Sequence, residues 1–349
     1  MNRHQGKDKF PLRGAIIGFG NVAEHAHLPV WQRNKHFRID VVLEPDPEQA
    51  QLARGLLPEA RIYSGIETLP PCNDLDFVDI CTPPCFHADL VLKACQAGLH
   101  VFCEKPLVTS FESLHEIWQS ASQFGRVIFT VNNWKYAPLW AKVFELVHSD
   151  TIGVVRSMSL TVLRPPHSGG GVSNWRKCPE MAGGGILLDH GWHHLYLILS
   201  VMREPPLSIS ARMEYSEENG PDLEETVDLT IRFPNAEANL YLTWRGPCRR
   251  NFGRIRGDKG MLLLNDDHLI LCRDGAPARR YDFPEALSAG SHHPEWMELV
   301  VEDFRREIFD ARLRGANLIE GRWCTQLTHL AYQSQREGSR PVKVSHLIV

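Results

Sequence analysis

Residues 15–27 read AIIGFGNVAEHAH, and their reading decides the fold. Ala15, Ile16 and Ile17 have the character of the end of a buried strand. Gly18-Phe19-Gly20-Asn21-Val22-Ala23 then supplies the spacing G-x-G-x-x-A, and the residues after it suit the start of a helix. Gly18 permits a tight strand-to-helix turn. Gly20 lets a pyrophosphate approach the backbone, and Ala23 lets the helix pack closely on the strand. The first turn of such a helix offers N–H groups and a partial positive charge to phosphates. Glycine turns after strands are common, so the surroundings carry the assignment.

The next stretch supplies the acid that such a site needs. Residues 37–43, FRIDVVL, read as a second strand with Glu44 at its carboxyl end. A carboxylate there can accept hydrogen bonds from ribose hydroxyls and repels a 2′-phosphate. Asp46 and Glu48 add to the repulsion, so the sequence favours NAD over NADP.

From Pro11 to about Val131 strands and helices alternate. Residues 48–57 suit a helix, and Arg61 to Ser64 a short strand. Residues 76–82, DFVDICT, form an apolar strand that stops at Pro83-Pro84. Residues 87–97 have helical spacing with Gly98 as a stop, and 100–103, HVFC, form another strand before Glu104-Lys105-Pro106. Alternation of this kind gives parallel strands covered by helices on both faces, with ligands at the carboxyl ends of the strands. The segment 18–23, Glu44, Thr82-Pro83 and Glu104-Lys105 all fall at such ends. The pattern changes after about residue 133. Single helices are expected over Leu139–His148 and Ile186–Met202. Strands are expected at Val154–Leu163, Leu207–Tyr215, Thr226–Phe233, Ala236–Trp244, Asn251–Arg256 and Met261–Cys272. Helices near Pro294–Arg312 and Glu320–Gln335 close the chain. The expected architecture is α/β: a dinucleotide-binding domain over 1–132 and an α+β domain over 133–349 with an open, mainly antiparallel sheet.

Composition bounds the function. The chain has 349 residues and a formal net charge of −4, which gives no bulk attraction to nucleic acid or to an anionic membrane. Its nine cysteines are scattered with no C-x-x-C pair, the usage of reduced thiols in a cytoplasmic protein. The start, MNRHQGKDKF, lacks the apolar core of a signal peptide, and residues 186–202 carry Asp189 and three histidines, so they do not read as a membrane span.

Two places carry chemistry. Lys105 follows a buried strand, and its ammonium can hold a substrate hydroxyl and stabilise a developing alkoxide. Residues 183–194, GGGILLDHGWHH, place Asp189 and His193 four apart on one helical face. There the carboxylate can orient the imidazole, which takes a proton from an alcohol as hydride leaves carbon. His190 and His194 are also four apart, but they lack the further ligand and the glutamate of a zinc-protease pattern, so no metal is expected. Arg245, Arg249, Arg250, Arg254 and Arg256 form a basic cluster that reads as a solvated strand face more readily than as a site for an anion.

Taken together, residues 15–27, the stretch ICTPPCFHADLVLKACQAGLHVFCEKPL at 80–107, NWR at 174–176, GGGILLDHGWHH, and the ending YQSQREGSRPVKV at 332–344 carry a resemblance. The chain resembles the glucose–fructose oxidoreductase / inositol dehydrogenase / MocA-like family of NAD(P)-dependent oxidoreductases, from about residue 12 to the end. The resemblance implies catalytic Lys105, Asp189 and His193, with Thr82, Pro83, His87 and Glu104 around the cofactor. Trp175 and Arg176 match the family's W-R element beside nicotinamide or substrate. In VNNWKYAPLW at 131–140 the chain departs from the commoner R-F-x-P pattern, and Asn133, Lys135 and Tyr136 stand where substrate contacts often lie. The implied substrate is a sugar or cyclic polyol, and the implied assembly a homodimer or homotetramer through the open sheet. A sugar-binding sensor without catalysis and an NAD-dependent glycosidase are the alternatives. Sensors of this kind often lose the lysine or the histidine, and this chain keeps both.

Overall fold

The computed structural model describes residues 10–65, 74–166, 175–216, 220–290 and 292–345. They form two compact units. One comprises residues 1–108, 112–131 and 292–319; the other comprises 109–111, 132–291 and 320–349. The division differs from a cut at 132/133 chiefly in that 292–319 belong with the first unit.

The described residues of the first unit are built on six strands: β1 (Leu12–Ile17), β2 (Phe37–Leu43), β3 (Arg61–Tyr63), β4 (Phe77–Ile80), β5 (His100–Cys103) and β6 (Ile128–Thr130). Their spatial order is β3-β2-β1-β4-β5-β6, and every pairing is parallel. The order reverses between β1 and β4, so the turn after β1 opens at the switch point where doubly wound sheets bind ligands. Helices Leu28–Arg33, Pro47–Leu56, His87–Gln96 and Phe111–Phe124 make the crossovers. β4 and β5 are buried throughout, which explains why they read as apolar runs interrupted only by Asp79 and His100.

The helix Pro294–Phe309 joins this unit through an aromatic cluster. Phe304 is fully buried and lies 5.2–6.1 Å, centroid to centroid, from Phe37, Phe77, Phe102 and Phe129. Asn317 then completes the edge strand: Thr130 N donates to its Oδ1 (2.6 Å) and its Nδ2 donates to Thr130 O (3.0 Å).

The described residues of the second unit hold nine strands: β7 (Val155–Leu163), β8 (Ser208–Ser216), β9 (Gly220–Arg232), β10 (Glu237–Thr243), β11 (Arg250–Gly257), β12 (Gly260–Asn265), β13 (His268–Arg273), β14 (Arg279–Asp282) and β15 (Val342–Lys343). They run in the order β14-β13-β12-β11-β7-β10-β9-β8-β15. Among the described residues only β7 and β10 pair in parallel; the other pairings are antiparallel. Side chains alternate cleanly. Met158, Leu160 and Val162 on β7 are buried, as are Ala238, Leu240 and Leu242 on β10, whereas Tyr241 and Phe252 face outward.

Three elements depart from the sequence expectations. The stretch 261–272 is not one strand. It folds back at Asp266-Asp267 because the Asp266 carboxylate accepts from Asn251 N, Asn251 Nδ2 and the Ser288 hydroxyl, which fixes a turn. β14, with the sequence Arg279-Arg280-Tyr281-Asp282, gave no apolar signal because it is a charged edge strand. The helix expected over 186–202 opens with a π-helical turn, Leu187–Gly191, and continues as an α-helix, Trp192–Met202.

Candidate active site

The glycine turn takes the form its spacing dictates. Gly18 has φ of +85°, and a Cβ there would lie 3.1 Å from the Cys81 backbone, so only glycine suits the position. A Cβ built on Gly20 meets nothing within 4 Å, which leaves room for a ligand at that backbone. Ala23 is fully buried and opens a π-helical turn, Ala23–His27, that runs into the helix Leu28–Arg33. Glu44 is 8% exposed rather than solvated. Its Oε2 accepts from Phe19 N at 2.5 Å and its Oε1 from Asp46 N at 2.8 Å, so the acid at the end of β2 also braces the turn after β1. The shielded Thr82 Oγ1 has no hydrogen-bond partner, and Thr82 Cγ2 lies 3.0 Å from where a Gly18 Cβ would stand. The turn with its open Gly20, the unpaired Thr82 hydroxyl and the Glu44 carboxylate fit a dinucleotide.

Two histidines support the loops that follow β4 and β5. His87 is fully buried, with Nδ1 2.7 Å from Pro106 O and Nε2 2.9 Å from Thr82 O. Each ring nitrogen thus faces a backbone carbonyl, and the neutral ring that burial favours has one N–H to donate between them. His87 ties the Thr82-Pro83 loop to the Glu104-Lys105-Pro106 loop, and burial lowers its pKa despite both carbonyls. Sequence reading passed over His27. Its Nδ1 lies 2.9 Å from Asp79 Oδ1, and its Nε2 lies 3.0 Å from Glu104 Oε1. The signal available was Asp79 itself, a charge inside the otherwise apolar strand of residues 76–82. Glu104 Oε2 accepts from Lys105 N at 3.0 Å, and the Lys105–Pro106 peptide is cis.

In the second unit the site grows from a capped helix start. Glu224 on β9 is fully buried, and its carboxylate accepts from Gly185 N (2.9 Å), Leu187 N (2.9 Å) and the Tyr332 hydroxyl (3.0 Å). A Cβ on Gly185 would lie 2.1 Å from Glu224 O, so this close approach requires glycine. The cap holds the π-helical turn that carries Asp189. Asp189 Oδ2 lies 3.8 Å from Arg176 Nε and 3.5 Å from His190 Nε2. His193, 7% exposed, follows in the α-helix with Nδ1 2.9 Å from the Tyr196 hydroxyl, whose oxygen also accepts from Trp134 N at 3.0 Å. The Trp134 ring stacks on the imidazole at 5.2 Å. Tyr196 was not read from the sequence; its only trace was the three-residue spacing from His193. His194 turns inward, with Nδ1 2.9 Å from His190 O, and burial lowers its pKa to about 4.

The remaining sequence-derived residues are placed as follows. Arg176 lies over the Trp175 ring at 4.2 Å, and Asn174 falls outside the described residues. Lys135 Nζ is 2.9 Å from Glu320 Oε2, and that oxygen also accepts from Asn132 Nδ2 at 2.6 Å. The Lys135 ammonium is therefore committed to an ion pair. Asn133 Oδ1 is shielded and without a hydrogen-bond partner. In the arginine cluster, Arg245 pairs with Glu225 at 2.8 Å, while Arg250, Arg254 and Arg256 line the exposed face of β11.

Comparison with known proteins identifies the family. Residues 12–132 match a model described as oxidoreductase family, NAD-binding Rossmann fold, and residues 140–263 match the GFO/IDH/MocA C-terminal domain. The chain belongs to the Gfo/Idh/MocA oxidoreductase family. D-glucoside 3-dehydrogenase of Escherichia coli K12 is 29% identical over 197 residues, 56% of this chain and 55% of that protein. D-xylose 1-dehydrogenase (NADP(+)) 2 of Haloferax volcanii is 29% identical over 173 residues, 49% of this chain and 52% of that one. The chain thus spans about half the length of these two curated relatives. A solved levoglucosan dehydrogenase, in complex with NADH and levoglucosan, shares the Gfo/Idh/MocA fold. Its TM-score is 0.83 at 21% identity, over 96% of this chain and 100% of that one.

Proposed function

We propose that the protein is a dehydrogenase that transfers hydride between NAD and a secondary alcohol or ketone of a sugar, cyclic polyol or sugar derivative. The observation that carries this reading is the tethered imidazole of His193, 2.9 Å from the Tyr196 hydroxyl, on a helix start that also presents Asp189. When bound, the nicotinamide supplies the hydride acceptor or donor. His193 supplies the base. With Nδ1–H given to the Tyr196 oxygen, Nε2 takes the proton of the substrate hydroxyl. Asp189 contributes a carboxylate for the substrate or the imidazole, and Lys105 holds the substrate oxygen as negative charge develops. Gly18 to Ala23, Thr82, Pro83 and Glu104 are assigned to the cofactor, and Asn133, Trp175 and Arg176 to the substrate. Lys135 acts through its ion pair with Glu320.

The preference for NAD over NADP rests on Glu44: a carboxylate at the end of β2 would repel a 2′-phosphate. The named relatives, a glucoside and a xylose dehydrogenase, support the sugar class of substrate. The family resemblance supports a homodimer or homotetramer. The test is NADH formation over a panel of inositols, sugars, sugar phosphates and glycosides, with NAD⁺ and NADP⁺ in parallel. Turnover with NAD⁺ supports the reading. Free sugar released from a glycoside without net NADH would replace it with a glycosidase, and cofactor and sugar binding without turnover would replace it with a sensor.

A further inference from the structure

In the first unit a chain of charged side chains crosses an otherwise apolar interior, and the function proposed above uses only its last members. Trp31 Nε1 donates to Asp79 Oδ2 at 2.6 Å. The two Asp79 oxygens lie 2.9 and 3.0 Å from His27 Nδ1, and Glu104 Oε1 lies 3.0 Å from His27 Nε2. Glu104 Oε2 accepts from Lys105 N. The other groups facing the ring are the Cys81 thiol, 3.4 Å from Nδ1, and the Phe102 ring, edge-on at 5.6 Å.

Both nitrogens of His27 therefore face carboxylate oxygens. A neutral imidazole carries one N–H and would turn a lone pair toward one of the two carboxylates; only the imidazolium satisfies both. Burial alone would lower the His27 pKa. The Asp79 charge, assisted by Cys81 and the Asp79 hydrogen bond, overcomes that and raises it well above 6.5. Burial alone would likewise raise Glu104, but the His27 hydrogen bond and charge, followed by Lys105, hold it below its usual range. The sequence Asp79⁻, His27⁺, Glu104⁻, Lys105⁺ alternates in sign.

We propose that His27 is a positioning residue: an imidazolium bridging Asp79 and Glu104 that fixes the carboxylate on which the Lys105 backbone rests, and so sets where Lys105 presents its ammonium. The proposal rests on the reading of Lys105 as the residue that holds the substrate oxygen. It also gives Asp79 a reason to sit inside a buried strand.

Two measurements test it. The first needs no activity: NMR of the full chain labelled with ¹⁵N-histidine, with the His27 resonances identified as those displaced in Glu104→Gln. The proposal expects both ring nitrogens of His27 to carry protons at and above neutral pH, and the pKa to fall in Glu104→Gln. A ring nitrogen without a proton overturns it. That holds whether the ring is a neutral tautomer or Nδ1 ligates a cation with Asp79 and Cys81, which lie close enough to share one. The second is kinetic. His27→Gln and Glu104→Gln should each lower kcat about 10–100-fold, with KM for NAD little changed in His27→Gln. The double variant should lose no more than the worse single one. Losses that multiply would overturn the coupling. If no substrate turns over, the proposed function fails while the NMR experiment still decides the bridge. If His27→Gln does not fold, the wild-type and Glu104→Gln spectra decide it.

Discussion

At the scale of residues, the imidazole of His193 is held by a phenol, and that choice has consequences. The Tyr196 oxygen receives Trp134 N–H and lies 2.9 Å from His193 Nδ1, so it fixes the ring's orientation without adding charge. Tyr196→Phe should lower kcat about tenfold, the scale of a misdirected general base, with KM for substrate little changed. Steady-state kinetics check this, and equilibrium unfolding should show a stability loss of only about 1 kcal/mol. Glu44 makes a second prediction. Glu44→Ala should weaken NAD binding and narrow the preference over NADP, read by titrating both cofactors; an unchanged NAD/NADP ratio would remove Glu44 from selectivity. His194 makes a third. Its folded pKa is lowered to about 4 from 6.5 by burial, so the unfolded chain binds a proton in that window and the folded one does not. Stability should therefore fall as pH drops from 6.5 toward 4, by on the order of 3 kcal/mol from this residue. Denaturant unfolding of wild type and His194→Asn checks it, since the variant should lose that part of the slope.

At the scale of elements, Glu224 decides how the helix that carries Asp189 and His193 begins. Its carboxylate meets the N–H groups of Gly185 and Leu187, which the start of a helix leaves unpaired. Glu224→Gln would turn one amide NH₂ toward an N–H. It should cost about 1–3 kcal/mol and lower kcat by moving Asp189 and His193 together; calorimetry and turnover of the variant measure both. This cap marks the limit of what the sequence discloses. The glycine turn, the strand ends that follow it and Glu44 were legible because each depends on local spacing. The π-helical turn at 187–191 was not, because it depends on a side chain from β9, 37 residues from Leu187. His27 was illegible for the same reason: its partners Asp79 and Glu104 lie 52 and 77 residues away. The extra fold-back at Asp266-Asp267 lay within one apolar run, where periodicity alone gives no boundary.

At the scale of the whole molecule, the dinucleotide-binding sheet depends on a helix that comes after β14 of the second sheet in sequence. Phe304 stacks against Phe37 and packs on Phe77, Phe102 and Phe129, so the first unit is incomplete without residues 292–319. Phe304→Ala should destabilise the protein by about 3–5 kcal/mol, the cost of emptying an aromatic site in a packed core. It should weaken cofactor binding although it lies far along the chain from the glycine turn. No helix among the described residues is long and apolar enough to cross a membrane. The measurement that tests the central claim most directly is NADH absorbance with NAD⁺ over the sugar and polyol panel, with wild type and His193→Ala side by side. The account predicts turnover by wild type, loss of most of that turnover in His193→Ala, and unchanged NAD binding by calorimetry in both. Equal turnover by the two proteins, or turnover with NADP⁺ alone, would contradict it.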